Sequence, residues 1–269
     1  MRTSRLAPFF LLAAALLVML PAHTQDWERQ ALDKSPRHRE WVSLKVGTQT
    51  VNTWVVYPEV PNKAPVLVLI HEIFGLSDWA REMADELAAA GYIVVAPDLL
   101  SGSGPKGGGT SEFPDADAVV KAVFALPPAQ VTADLDAAAD YGKHLPAGNG
   151  KLAVIGFCWG GGHTFEYAAH RTDLNAAFVF YGPAPDASLL PKIQAPIYAF
   201  YAGNDARITA TVPDTVQAMK SAGKRFEPVI YPGAGHGFMR AGEAPDASKE
   251  NAEARRVAFA RLVGLLKGL

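Results

Sequence analysis

Short apolar runs alternate with amphipathic segments along most of the chain. Residues 66–70 are uninterrupted Val, Leu and Ile, which is typical of a strand buried on both faces of a parallel sheet. Residues 78–91 place their apolar side chains on one helical face, with Asp78 suited to begin the helix and Gly91 to end it. The other predicted strands are two within 41–58, then 92–97, 151–155, 176–181, 196–201 and 225–231; the other predicted helices are 113–124, 129–144, a segment from 160 and 248–269. Strands that alternate with helices predict an α/β fold with a mainly parallel sheet of about eight strands and helices on both faces.

The N-terminal residues follow a different pattern from the rest of the chain. Arg2 and Arg5 precede an apolar run at 8–20, and small or polar residues follow it. This pattern predicts a secretory signal peptide at residues 1–24, because the run is short for a membrane span; the alternative is an uncleaved anchor. Residues 25–40 are polar and are predicted to be a loose N-terminal lead-in, and residues 41–269 to form one domain. We therefore expect an exported, periplasmic or secreted bacterial protein without stable membrane association.

The composition favours a small-molecule partner. The chain has 269 residues, of which 49% are hydrophobic, and a formal net charge of −2. This length suits one large domain with a full core. The near-neutral charge gives no basic surface of the kind that binds nucleic acid. We expect a monomer.

The segment 151–162 holds the strongest chemical signal. It places the only cysteine, Cys158, in the pattern G-x-C-x-G-G between a predicted strand and a predicted helix. A sharp strand-to-helix turn around a nucleophile is the nucleophile elbow of α/β-hydrolases, here with Cys in place of Ser. The helix N-terminus is expected to favour a thiolate. The alternative is a buried, inert thiol.

The remaining catalytic groups of an α/β-hydrolase follow the nucleophile in the order acid, then histidine, each after a strand. Asp205 directly follows the predicted strand 196–201, and His236 lies in a glycine-rich loop after the predicted strand 225–231. The sequence therefore predicts a catalytic triad of Cys158, Asp205 and His236. The oxyanion donors are expected to be the N–H of Trp159, the residue after the nucleophile, and an N–H from the loop 71–75.

Two motifs that suggest cofactors fail on inspection. His71 and Glu72 begin H-E-x-x-H, but a glycine replaces the second histidine, so we predict no metal. Residues 102–107 spell G-x-G-x-x-G, yet Pro105 interrupts the pattern and no helix begins at the third glycine. The segment 101–110 is predicted to be a mobile surface loop that can border a ligand crevice. No organic cofactor is predicted.

The motifs at 71–75, 96–99, 156–161, 203–205 and 235–238 together resemble the dienelactone hydrolase (carboxymethylenebutenolidase-type) family, an α/β-hydrolase branch with a Cys-His-Asp triad. The resemblance implies that Glu72 is an acid beside the resting thiol and helps to draw off its proton. It also implies that the N–H of Ile73 is the second oxyanion donor.

The resemblance also implies that two arginines hold a carboxylate of the substrate. Arg240 matches one of them, but Gly102 stands at the position of the other. Only Arg240 is therefore expected to hold the carboxylate, unless a side chain such as Lys106 swings in from the loop and replaces the second arginine in part. This predicts weak discrimination between carboxylated and neutral lactones.

The sequence thus predicts hydrolysis of an ester or lactone through an acyl-thioester on Cys158. His236, oriented by Asp205, would activate the water that releases the product. One alternative is an exported carboxylesterase or thioesterase that acts on an unrelated substrate. Another is a non-catalytic thiol redox module, which needs neither Asp205 nor His236 at a strand end.

Overall fold

The structure is a computed structural model that describes residues 27–269. The predicted signal peptide at residues 1–24 lies outside the described residues. Within residues 27–269, no helix has both the length and the apolar character that crossing a membrane requires.

Eight strands form one sheet in the order β1-β2-β4-β3-β5-β6-β7-β8. The strands are β1 Arg39–Val46, β2 Gln49–Val56, β3 Ala64–Ile70, β4 Ile93–Pro97, β5 Gly148–Phe157, β6 Ala176–Phe180, β7 Ile197–Ala202 and β8 Phe226–Tyr231. β2 pairs antiparallel with both β1 and β4, whereas β3 to β8 are parallel to one another. The predicted fold class, a mainly parallel sheet of about eight strands, is confirmed.

Helices cover both faces of this sheet. They are α1 Trp27–Lys34, α2 Asp78–Ala89, α3 Ala116–Phe124, α4 Pro128–His144, α5 Trp159–His170, α6 Ala206–Thr209, α7 Val212–Ser221, α8 Phe238–Ala241 and α9 Lys249–Leu266. α2 and α9 pack on one face, and α4, α5 and α7 pack on the other. Successive side chains of a strand point to opposite faces, so β5 supplies Ile155 to the first core and Val154 to the second.

The segment predicted as a loose lead-in is instead ordered by contacts with α2. It contains α1, whose Leu32 is buried. The hydroxyl of Ser35 donates to Asp85 Oδ1 at 2.6 Å, and the guanidinium of Arg37 pairs with the same carboxylate. The polar sequence concealed this helix because only two of its eight residues, Glu28 and Leu32, are buried.

The glycine-rich segment 101–110, predicted to be mobile, is tied to the end of β4. The backbone N–H of Thr110 donates to Asp98 Oδ2 at 2.8 Å, and its hydroxyl donates to Asp98 Oδ1 at 2.7 Å. The N–H of Gly108 donates to Glu112 Oε2 at 2.9 Å. The predicted helix 113–124 also starts later, at Ala116, after a single 3-10 turn at Thr110–Glu112.

Candidate active site

Cys158 occupies a strained turn between β5 and α5. Its backbone has φ 56° and ψ −117°, and a non-glycine residue at positive φ typically stores about 1–3 kcal/mol. A Cβ on Gly156 would lie 2.2 Å from the carbonyl oxygen of Gly160, and a Cβ on Gly160 would lie 2.4 Å from that of His71. The glycines of the motif are therefore required for α5 to pass close to β3 and β5.

The three predicted triad residues come together at the carboxyl ends of parallel strands. Asp205 follows β7, and His236 follows β8. The Nε2 atom of His236 lies 3.0 Å from Cys158 Sγ, and its Nδ1 lies 2.5 Å from Asp205 Oδ2. The Asp205 side chain is buried, while His236 is about one-third exposed and faces solvent on one side. This arrangement can move a proton between the thiol and the imidazole.

Two backbone N–H groups act on the sulfur. They belong to Trp159, at the start of α5, and to Ile73, in the loop after β3, and both lower the pKa of the Cys158 thiol by hydrogen bonding. β3 lies beside β5 in the sheet, which is why a residue 85 positions earlier in the chain reaches the thiol. Both predicted oxyanion donors therefore influence the thiol, and their role in stabilising an oxyanion stays a prediction.

The resting thiol is protonated at neutral pH. Burial, followed by the charge of Glu72, raises the pKa of Cys158 to about 11, against the opposing effects of the two N–H groups and Arg207. An increase of that size corresponds to roughly 3 kcal/mol, whereas a helix N-terminus contributes about 0.3–1 kcal/mol. The N–H of Trp159 at the helix N-terminus does favour the thiolate, as predicted, but burial outweighs this effect and the thiol pKa is raised. A base must remove the proton.

Glu72 lies next to the thiol but hydrogen-bonds elsewhere. Its Oε2 accepts from Arg240 Nε at 3.1 Å, and its Oε1 accepts from the Tyr181 hydroxyl at 3.2 Å. Burial raises the pKa of this carboxyl, and the charge of Arg240 opposes that effect. The implied role of Glu72 in drawing off the thiol proton stays a prediction, since its hydrogen bonds in this structure go to other partners.

A cavity of about 410 Å³ opens above Cys158 and His236. Most of its wall is apolar or aromatic, and the side chains that form this part of the wall include Ile73, Trp159, Tyr181, Pro183 and Leu189. Arg207, two residues after Asp205, is the one arginine or lysine in the lining. Its guanidinium makes no hydrogen bond or ion pair with the described residues. Sequence analysis missed it, although its position beside the predicted acid was a usable signal.

The two positions of the predicted carboxylate clamp do not line this cavity. Arg240 pairs with Glu72, stacks over Phe74 at 4.8 Å and lines neighbouring depressions. Gly102 has φ +81° and lines a separate depression that also contains Gly107. An arginine introduced at Gly102 would therefore be strained in its backbone and would not line the cavity at Cys158.

The sequence motif that suggested a metalloprotease instead supports the predicted oxyanion donors. His71 is fully buried, and its Nδ1 lies 2.8 Å from the carbonyl oxygen of Glu72. Its ring stacks on that of Trp159, with centroids 5.6 Å apart and an interplanar angle of 14°. Among the described residues, three metal-type ligands approach one another only at Glu82, Glu86 and Glu243, and none of these lines the cavity at Cys158.

An eight-stranded sheet with an elbow cysteine, an aspartate and a histidine at strand ends defines an enzyme of the α/β-hydrolase class. The model of the dienelactone hydrolase family matches residues 51–269. The chain belongs to this family and is a carboxylic-ester hydrolase that acts on a small-molecule ester or lactone.

Similar proteins agree with this assignment. A protein of Escherichia coli (strain K12), provisionally described as a carboxymethylenebutenolidase, is 33% identical over 186 residues, which cover 65% of this chain and 67% of the relative. The carboxymethylenebutenolidase of Pseudomonas putida is 31% identical over 183 residues, which cover 66% and 76% of the two chains. The crystal structure of a Klebsiella pneumoniae protein that is assigned as a dienelactone hydrolase is also similar. It aligns with a TM-score of 0.74 at 28% identity, and the alignment covers 87% of this chain and 99% of the other.

Proposed function

We propose that the protein hydrolyses its ester or lactone through a covalent acyl-thioester on Cys158. One observation carries this proposal, the continuous line of contacts from Asp205 Oδ2 through the two nitrogens of His236 to Cys158 Sγ. A nucleophile, a base within hydrogen-bond reach and an acid that orients the base are the parts that nucleophilic catalysis requires.

In the acylation step, His236 takes the thiol proton as sulfur attacks the substrate carbonyl. Asp205 holds the imidazole with its Nδ1–H inward and stabilises the imidazolium that forms. The carbonyl oxygen becomes an oxyanion that accepts hydrogen bonds from the N–H groups of Trp159 and Ile73. When the C–O bond breaks, His236 returns the proton to the leaving oxygen. The high thiol pKa supports this coupled transfer, since a free thiolate would be scarce.

In the deacylation step, a water molecule replaces the leaving group beside His236. The imidazole removes a proton from this water as it attacks the thioester, and the same two N–H groups stabilise the second oxyanion. Collapse of the intermediate returns the proton to sulfur and releases a carboxylic acid. We further propose, from the charged start and short apolar run at 1–24, that the enzyme acts outside the cytoplasm.

The test compares wild type with Cys158→Ala on cyclic lactones, aryl esters and acyl thioesters, with the acyl-enzyme trapped by rapid acid quench and intact-mass analysis. We expect a mass increase equal to the acyl group in the wild type and none in Cys158→Ala, together with loss of turnover. Hydrolysis that survives in Cys158→Ala would contradict the proposal. A redox role would instead be indicated if His236→Ala left the function of the thiol unchanged.

The same panel separates the substrate alternatives. Turnover of the cyclic dienelactone above that of linear aryl esters supports a lactonase. The reverse order, or a preference for acyl thioesters, supports the exported esterase or thioesterase alternative. Both outcomes retain the acyl-thioester mechanism.

A further inference from the structure

One peptide unit, between Glu72 and Ile73, connects a buried histidine to the candidate oxyanion site. Its N–H, that of Ile73, lowers the pKa of the Cys158 thiol by hydrogen bonding. Its carbonyl oxygen, that of Glu72, lies 2.8 Å from His71 Nδ1 and also accepts the N–H of Gly75 at 3.2 Å. The C=O and N–H of a trans peptide point in opposite directions, so a hydrogen bond that fixes the carbonyl also fixes the N–H.

The chemistry of His71 determines which of its nitrogens carries the proton. A carbonyl oxygen only accepts hydrogen bonds, so Nδ1 must be the donor. Burial lowers the pKa of this imidazole, so the ring is neutral and Nε2 keeps a lone pair. Nε2 has no hydrogen-bond partner among the described residues. The single N–H of the ring therefore donates its hydrogen bond to the Glu72 carbonyl.

His71 also touches the second candidate donor. Its ring stacks on the Trp159 indole, and a Cβ on Gly160 would collide with the His71 carbonyl oxygen. The end of β3 and the start of α5 are thus packed together through this residue. His71 therefore contacts Trp159, which supplies one of the two N–H groups, and holds the carbonyl of the peptide that carries the other, the N–H of Ile73.

We propose that His71 is a positioning residue for the oxyanion hole: its Nδ1–H anchors the Glu72 carbonyl and thereby aims the Ile73 N–H at the developing oxyanion. The inference rests on the proposed function, since it assumes that the oxyanion forms at Cys158. Without the His71 hydrogen bond, only the N–H of Gly75, at 3.2 Å, holds the Glu72 carbonyl, so the peptide between Glu72 and Ile73 turns its carbonyl toward the site more easily. An oxygen there would repel the oxyanion. Loss of one oxyanion donor typically lowers kcat by about 10²–10³-fold.

The experiment compares His71→Leu, which removes the donor, with His71→Asn, whose side-chain amide can donate from nearly the same place as Nδ1. We expect kcat to fall about 10–100-fold in His71→Leu, with KM changed less than threefold, because the hydrogen bond strengthens only as the oxyanion forms. His71→Asn should recover most of the lost kcat. An aldehyde inhibitor, which forms a tetrahedral adduct with the thiol, should bind His71→Leu more weakly by a factor close to the fall in kcat/KM.

Leu87→Ala is the matched control, because it opens a cavity in the buried core without touching the loop at 71–75. It should lower the unfolding temperature but leave kcat within about twofold of wild type. The proposal is overturned if His71→Leu keeps wild-type kcat, if its loss is confined to KM, or if His71→Asn is no better than His71→Leu. Inactivity of Cys158→Ala together with normal His71→Leu would refute this inference alone, whereas an active Cys158→Ala would refute the proposed function.

A measurement on the wild type does not depend on the folding of a variant. Long-range ¹⁵N–¹H correlation spectra distinguish the two neutral imidazole tautomers, and the spectrum of His71→Asn assigns the His71 signal. The proposal requires the proton on Nδ1, with Nε2 bare. A proton found on Nε2 would overturn it.

Discussion

Two regions of this enzyme bury carboxylates against an arginine, and they differ in what surrounds them. Beside the thiol, Glu72 has one arginine to itself, Arg240, and a tyrosine hydroxyl as a second partner. Between α2 and α9, a group that we call the acidic cluster, Glu82, Glu86 and Glu243, shares Arg255. Burial raises the pKa of Glu82 to about 9 and that of Glu243 to about 7.

The difference shows that a perturbed pKa does not by itself mark a catalytic site. Burial raises the pKa of carboxyls in the acidic cluster as it does that of Glu72, yet no residue of the cluster hydrogen-bonds to a nucleophile or lines the cavity at Cys158. Glu72 differs because it adjoins a thiol, a histidine and two aimed N–H groups. We expect changes beside the thiol to alter rates, and changes in the acidic cluster to alter stability.

The largest effect is expected when the thiol or its base is removed. Cys158→Ala and His236→Ala should each lower kcat about 10⁴-fold or more, and the double variant should be little worse, because the two groups act as one unit. Unfolding free energies should stay within about 1 kcal/mol of wild type. Steady-state kinetics on an aryl ester and urea unfolding measure both effects. Losses that simply add would show that the two residues serve separate steps.

Asp205→Asn tests the acid that orients the imidazole. The amide cannot stabilise the imidazolium and permits the wrong tautomer, so we expect kcat to fall about 10²–10⁴-fold with the fold intact. The fall in kcat should exceed any rise in KM. Unchanged turnover in this variant would mean that another carboxylate performs the role.

Arg255→Leu tests the acidic cluster, where we expect an effect on stability. Its guanidinium pairs with Glu86 at 2.5 Å and Glu243 at 2.7 Å, so its loss leaves two half-buried carboxylates without their cation. We expect a loss of about 1.5–3 kcal/mol at pH 8 and a smaller loss at pH 5, where protonation of Glu243 relieves the charge. Urea unfolding at the two pH values measures it. A large fall in kcat at a temperature well below unfolding would contradict the idea that the acidic cluster affects stability and not catalysis.

Glu82→Gln should stabilise the protein, and increasingly so at higher pH. An acid whose pKa is raised on folding contributes fully to stability below its unfolded value, near 4.5, and loses that contribution as pH rises toward about 9. Wild-type stability should therefore decline across this range. Glutamine stays neutral, so Glu82→Gln should flatten the decline by about 1–3 kcal/mol at pH 9. Parallel stability curves for the two proteins would show that Glu82 is not the titrating group.

The smallest effect concerns substrate charge. Arg207 lines the cavity without a partner among the described residues, so an anionic substrate group has one cation available. We expect Arg207→Gln to lower the ratio of kcat/KM for a carboxylated ester to that for its methyl ester about tenfold, which is about 1.4 kcal/mol. Arg256→Gln, on the exposed side of α9, is the matched control. An unchanged ratio in Arg207→Gln would show that Arg207 does not contribute to the preference for anionic substrates.

Sequence patterns predicted the parts of this site that depend on chain order and strand ends. Cys158, Asp205 and His236 follow three strands, and parallel strands bring their carboxyl ends to one edge of the sheet. The protonation state of Cys158 was not predictable, because burial depends on how α5 and the loop after β3 close over the sulfur. The packing of α1 and the residues after it was also not predictable, since Asp85, which accepts a hydrogen bond from Ser35, lies 50 residues away in sequence.

Arg207 and His71 illustrate two kinds of missed residue. Arg207 stands next to the predicted acid, yet only the cavity shows that its side chain is near the thiol. His71 belongs to a motif that lacks the second histidine of a metal site, and no sequence pattern indicates its hydrogen bond to the neighbouring peptide. Conversely, Arg240 matched a family position, while its pairing with Glu72 keeps it outside the cavity lining.

The wide sequence separation of the site residues has a consequence for folding. Ile73 and Cys158 are 85 residues apart, and Cys158 and His236 are separated by 78, so none of these contacts can form locally. Parallel pairing of strands so far apart in sequence is slow, because the entropy cost of closing the loop between them comes before the contacts that stabilise the pair. A chain that has paired β3 with β5 but not β7 with β8 carries its thiol without its base. Recovery of esterase activity during refolding therefore reports docking of the last strand, and a burst of secondary structure should precede it.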